Sequence, residues 1–195
     1  MSNKLIGRKT EADFLKGRRV MLRPLASRDI NRRYLAWLND QEVTAYLETG
    51  VFPANMRELK NFYKKISDSK TDMMFAIIDR RTNLHIGNIK LGAINWVHRY
   101  ADMGIMIGEK RCWGKGYGRE ACDLILEYAF RRLNLNKVIL GVYSNHVRAI
   151  GMYEKVGFRI EGRIKKLLRF DGRYVDKLFM GISQRDFLKT RAGSR

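Results

Sequence analysis

The chain is poor in several residue types, and each shortage excludes something. Its 195 residues include two cysteines and two prolines. Cys112 and Cys122 are too few for a disulfide framework, and with three histidines they form no metal-ligand spacing, so no metal is expected. Long apolar runs are missing as well. The longest, Met73–Ile78 and Leu91–Ile94, fall far short of the ~18 residues that span a bilayer, so no membrane partner is expected. Met1–Thr10 holds no apolar core of signal-peptide length, which reads as a cytoplasmic protein. No repeat, low-complexity block or Pro/Gly/Ser linker interrupts the chain. Residues 1–195 therefore read as one domain, with flexible tails at 1–17 and 188–195. Acids are the last scarcity: 20 Asp+Glu face 39 Lys+Arg, a formal net charge of +19. That surplus points to an anionic partner, whether nucleic acid, a membrane surface or a phosphate-bearing small molecule. It argues against a polycationic substrate unless acids cluster locally.

What is present is a pattern whose period changes along the chain. Arg18–Leu25 alternates and ends at a proline, the mark of a first strand. Ser27 is a good N-cap for a helix over Arg28–Leu38, a short helix is expected over Asp40–Leu47, and a third over Asn55–Ser67. Met73–Asp79, Ile86–Asn95 and Tyr100–Ile107 then read as an antiparallel meander. Cys122, Ile125, Leu126, Ala129, Phe130 and Leu133 fall at helical spacing and predict a long amphipathic helix. A strand over Lys137–Tyr143 and a helix over His146–Val156, stopped by Gly157, follow. Phe158–Phe170 and Arg173–Ile182 form two last strands, joined by the hairpin signal Asp171-Gly172. The order predicts an α+β domain, a mixed sheet with helices on both faces in three layers.

One segment carries chemistry. In Gly108–Glu120 a strand ends, Gly114, Gly116 and Gly118 follow, and the long helix begins. Glycines there let backbone N–H groups converge, and the helix N-terminus adds about half a positive charge, so the pair forms an anion cradle. Lys115 and Arg119 add charge. No Lys-Ser/Thr follows the glycines, and the third glycine of a dinucleotide fingerprint would fall on Arg119, so neither of those phosphate motifs is present. A plain tight turn would look much the same. Downstream, Asn145 sits where a strand hands over to a helix, and Tyr153 lies about two turns further on.

Taken with the glycine loop, Asn145–Phe158 (NHVRAIGMYEKVGF) makes Arg18–Phe187 resemble the GNAT superfamily of N-acetyltransferases. Within it the chain is similar to the RimJ/RimL ribosomal-protein and spermidine acetyltransferase branch. The resemblance implies a mostly antiparallel sheet whose two central parallel strands splay apart, with acetyl-CoA between them as co-substrate. Its pyrophosphate loop matches Trp113-Gly114-Lys115-Gly116-Tyr117-Gly118, with Trp113 in place of the usual Gln or Arg. A shifted register, Arg111–Gly116, also fits. The phosphates are then expected on residues 113–119, and the pantetheine arm on the backbone of Ile105, Met106 and Ile107. Asn145 is expected to touch that arm or to order the site, with helix capping as its other reading. By the same resemblance Tyr153 protonates the departing thiolate; otherwise it is a core aromatic.

For a base, Asp102 is the best single residue, with His85, His98 and His146 less supported. Alternatively Asp102 is an exposed strand carboxylate. Cys112 and Cys122 read as structural. The acceptor site is expected from the helices of Arg28–Ser67 and the last hairpin. The charge balance favours a primary amine on an amino-sugar nucleotide or similar anionic metabolite. A ribosomal-protein N-terminus is the next reading, and a polyamine the third. A basic nucleic-acid-binding module is the competing class, but no helix-turn-helix, RNP-type aromatic pair or zinc spacing supports direct nucleic-acid binding. Relatives of this kind also pair into homodimers through sheet edges.

Overall fold

The computed structural model describes residues 14–192. Its elements are β1 (Leu15–Lys16), β2 (Val20–Pro24), α1 (Arg32–Leu38), α2 (Gln41–Thr44), α3 (Met56–Ser67), β3 (Met73–Asp79), β4 (Leu84–Asn95), β5 (Tyr100–Ile107), α4 (Tyr117–Arg131), β6 (Lys137–Tyr143), α5 (Val147–Val156), β7 (Arg159–Phe170), β8 (Arg173–Ser183) and α6 (Gln184–Ala192). The eight strands form one sheet in the order β1-β2-β3-β4-β5-β6-β8-β7. Every neighbouring pair is antiparallel except β5 with β6.

Helices cover both faces, and β3 shows why. Its run Met73–Asp79 has no polar interior residue because both faces are buried. Phe75 and Ile77 point to one side, into a core with Ala121, Cys122, Ile125, Leu126, Ala129 and Phe130 of α4. Ala76 and Ile78 point to the other, against Tyr34 and Trp37 of α1 and Leu59 of α3. The first core also takes Tyr153 and Val156 of α5 and Phe187 of α6. The three layers expected from the pattern are therefore present. The described residues contain no helix long and apolar enough to cross a membrane.

Local signals set most boundaries. Asn55 and Glu58 form a reciprocal capping box that starts α3. Gly157 stops α5 at φ +115°, where a Cβ would press on Ile182. Asp171 and Gly172 both take positive φ, as a two-residue type I′ hairpin requires.

Two expectations need correction. The first helix starts later than Arg28. Residues Ser27–Asp29 form a 3-10 turn instead, and the cap is Asn31, whose side chain accepts from Arg33 N and Tyr34 N. The cause is Asp29, drawn into the core by two hydrogen bonds from Arg23, at 2.6 and 2.7 Å. The tails are also narrower than 1–17 and 188–195. Leu15–Lys16 pairs with β2, and 188–192 complete α6, with Phe187 and Leu188 packed on the core. The parts of those tails at 1–13 and 193–195 lie outside the described residues.

Candidate active site

The site begins where β5 and β6 part. They pair only over Tyr100–Asp102 against Lys137–Ile139. Beyond that each keeps its outer partner: β5 stays on β4 as far as Ile107, and β6 stays on β8 as far as Tyr143. From Met103 onward the inner edge of β5 has no strand partner. Ile105 and Ile107 lie toward α4, Met106 toward α1. Such an edge offers backbone donors and acceptors to an extended ligand.

The glycine loop closes the open end. Gly108 lets the chain pass against α1, since a Cβ there would run into the Trp37 ring. Gly114 (φ +72°) and Gly116 (φ +84°) take left-handed conformations, which glycine adopts without strain. Gly116 is the N-cap of α4. Arg19 clamps the loop by donating to the Lys115 carbonyl, and Glu120 accepts from Arg19 N at 2.7 Å. Gly118 faces the gap between β5 and α5, with Ile105, Ile107 and Met152 nearest. The Arg148 guanidinium lies on the other side, 3.4 Å from where a Gly114 Cβ would be.

Not every loop side chain faces this gap. Trp113 donates its indole N–H to the Ile107 carbonyl at 2.7 Å and packs toward α1, so it pins the end of β5. Tyr117 hydrogen-bonds Asp79, and with Arg18, Arg19, Arg81 and Lys115 it lines a separate cavity of about 290 Å³. Arg119 is exposed on α4.

Asn145 does not cap α5; His146 holds that position and makes no side-chain cap bond. The Asn145 carboxamide oxygen is buried with no protein partner. An unpaired buried acceptor calls for a ligand donor. An amide N–H of a pantetheine-like arm, laid along the free edge of β5, supplies one. With the positive-φ glycines and Arg148 at the phosphate end, the residues fit acetyl-CoA.

Tyr153 is 8% exposed and packs edge-on against Phe158, with ring centroids 5.8 Å apart. Burial pushes its phenol up, and Cys122 and Asp102 add to the rise. The hydroxyl makes no hydrogen bond among the described residues. Asp102 is half-buried rather than exposed. Burial raises its carboxyl above the ordinary range, and the nearby Lys90 and Lys177 pull the other way. A raised carboxylate is the stronger base. The Asp102 carboxylate is thus near enough to raise the Tyr153 phenol.

The other candidates separate. His85 is buried under Tyr34 and Trp37, with Nε2 3.0 Å from Asn88 Oδ1, and serves the core. His98 lies in the β4–β5 turn. His146 alone reaches the site, and burial together with Arg148 lowers its pKa. Cys112 and Cys122 are buried free thiols, both pushed up by burial and away from thiolate character.

Pattern reading missed a joint across the mouth. Tyr46, following α2, stacks on His146 at 3.8 Å and on Phe170 at 4.6 Å, with Tyr143 edge-on at 5.6 Å. The N-terminal helices and the last hairpin therefore meet beside Asn145, as expected of acceptor walls. No local signal marks Tyr46, because its partners come from distant segments.

Residues 19–159 match the family described as acetyltransferase (GNAT) domain. Spermidine N(1)-acetyltransferase of Escherichia coli (strain K12) is 32% identical over 170 residues, 87% of this chain and 88% of that protein. Its Vibrio cholerae counterpart is 35% identical over 131 residues, 67% and 75% of the two chains. The crystal structure of the spermidine N-acetyltransferase from Vibrio cholerae in complex with CoA and spermine superposes with a TM-score of 0.80 at 30% identity. It covers 87% of this chain and 98% of that one.

Proposed function

The chain belongs to the GNAT acetyltransferase family and is an acetyl-CoA-dependent N-acetyltransferase, and from that premise we propose that it transfers acetyl directly to a primary amine with Tyr153 as acid and Asp102 as base. The observation that carries this assignment is the buried, unpartnered Asn145 oxygen beside the free edge of β5. Acetyl-CoA brings an activated thioester; the protein's task is to hold it and to move two protons. The backbone of Ile105 and Met106 and the Asn145 oxygen orient the arm. The Ile107 carbonyl already accepts from Trp113. The N–H groups at 114–118, the N-terminus of α4 and Arg148 take the phosphates. Asp102 accepts the proton that an ammonium must lose before it attacks. Tyr153, protonated at neutral pH, gives a proton to the sulfur as the thioester opens.

The acceptor we favour is a small anionic amine such as an amino-sugar nucleotide, supported by the surplus of 19 positive charges. A polyamine acceptor is supported by the substrate in the relatives' names. The deciding measurement is CoA-thiol release from acetyl-CoA in the presence of aminosugar nucleotides, polyamines and N-terminal peptides. The transfer reading expects one class to raise release well above background. It falls if none does.

A further inference from the structure

The sheet register places two lysines where the acceptor amine must arrive. Asp102 sits opposite Gly92 of β4 and Ile139 of β6, and one step along, Lys90 sits opposite Gly104. On the far side Ile139, Gly141 and Tyr143 pair with Gly181, Phe179 and Lys177 of β8. Directly opposed residues project from the same face of a sheet. Lys90 and Lys177 therefore share the face of Asp102, which is also the face that α1 and α3 cover, since Met106 packs there.

Three positions on that face, Gly92, Gly104 and Gly141, have no side chain, and the lysine stems occupy the space. Lys90 Cε lies 3.3 Å from where a Gly104 Cβ would stand, and its Nζ lies 3.2 Å from the corresponding point on Gly92. Lys177 Cε and Nζ lie 2.5 and 3.3 Å from that point on Gly141. The two ammonium groups thus approach Asp102 from opposite sides, one from β4 and one from β8. Neither forms an ion pair with a described residue. Asp72, the other carboxylate near Lys90, is already held by Ser69, Thr71 and the Ala93 N–H. Lys177 otherwise rests over the Phe179 ring, 5.3 Å from its centroid.

We propose that Lys90 and Lys177 form the acceptor-selecting pair: they receive the phosphate of a phosphorylated amine whose amino group is presented to Asp102, and they repel polycations. Lysine ammonium is a compact phosphate binder, and a dianionic group answers two of them. A polycation would instead meet two like charges around the half-buried Asp102 carboxylate. The inference rests on the transfer reading above and narrows it, and it separates this chain from relatives named for spermidine.

The test compares kcat/KM for glucosamine 6-phosphate, phosphoethanolamine, glucosamine and spermidine. It uses the unaltered protein, Lys90→Met, Lys177→Met, the double variant and Lys177→Arg. Methionine keeps an apolar stem over the glycine floor; arginine keeps the charge. At least one phosphorylated amine should exceed glucosamine by about tenfold or more, with spermidine last. The double variant should bring the phosphorylated-to-neutral ratio close to one and raise spermidine turnover, with the KM for acetyl-CoA unchanged and Lys177→Arg retaining the preference. A preference for spermidine in the unaltered protein, or equal losses on all amines in the methionine variants, overturns the lysine pair and leaves the transfer reading intact. Acetyl-CoA binding by calorimetry with no turnover of any of the four overturns the lysine pair; the transfer reading falls with it only if the aminosugar nucleotides and N-terminal peptides also fail to release CoA.

Discussion

Tyr153 and Asp102 each have a use that depends on a shifted proton affinity. Burial keeps the Tyr153 phenol protonated, which suits a donor. Tyr153→Phe keeps the ring that packs on Phe158 and removes only the hydroxyl. It should lower kcat by about 10²-fold or more while leaving acetyl-CoA affinity unchanged, as single-turnover kinetics and calorimetry would report. An unchanged kcat removes Tyr153 as the acid. Asp102 is shifted in the same direction, but its role needs the ionised form. A carboxyl raised by burial is ionised at a cost to the fold, so its contribution to stability is present below its unfolded pKa and lost as pH rises through the folded one. Asp102→Asn should therefore raise the melting temperature at neutral pH while suppressing turnover. In the unaltered enzyme kcat/KM should fall as pH drops through a value above the ordinary carboxylate range of about 4. The acidic limb of a pH–rate profile checks this, and its persistence in Asp102→Asn would move the base elsewhere, His146 first.

At the scale of elements, the site is a gap between β5 and β6 closed by the turn into α4. The periodicity of α4, the glycine stop of α5 and the Asp171-Gly172 hairpin were legible because each is a local signal with a local cause. The parting of β5 from β6 came only through the family resemblance, since by pattern both strands read as ordinary apolar segments. The late start of α1 was hidden. Ser27 is a fine cap in isolation, and only the buried Arg23–Asp29 pair, assembled across strand and turn, moves the cap to Asn31. The glycine loop is the element whose failure should be cleanest. Gly116→Glu places an L side chain at φ +84° and a carboxylate against the phosphates. It should abolish acetyl-CoA binding in calorimetry while the circular dichroism spectrum stays that of the folded protein. Retained binding would remove 114–118 as the phosphate cradle.

Across the whole molecule the charge separates into parts with different uses. Arg148 flanks the loop, Arg19 braces it, and Arg18, Arg81 and Lys115 line the adjacent cavity. Arg163 pairs with Asp176 on the last hairpin, so part of that basic run is structural. Attraction of a polyanionic donor to such a surface is screened by salt. The KM for acetyl-CoA should rise by about fivefold or more between about 0.05 and 0.5 M salt while kcat at saturation holds. A flat response would mean that the backbone cradle alone binds the donor.

The amino-acid sequence by itself determined most of the elements, their order, the layer scheme and the glycine loop before α4. Those depend on periodicity, caps, glycines and turn pairs that act within a few residues. It also singled out Asn145, just before α5, and Tyr153, within it, through the family resemblance. Only the tertiary structure decided what stands around Asp102. Lys90 comes from β4 and Lys177 from β8, and nothing in either segment marks its lysine among the chain's other cations. They meet because strand register, a cooperative property of β4, β5, β6 and β8, lays both over the same glycine floor.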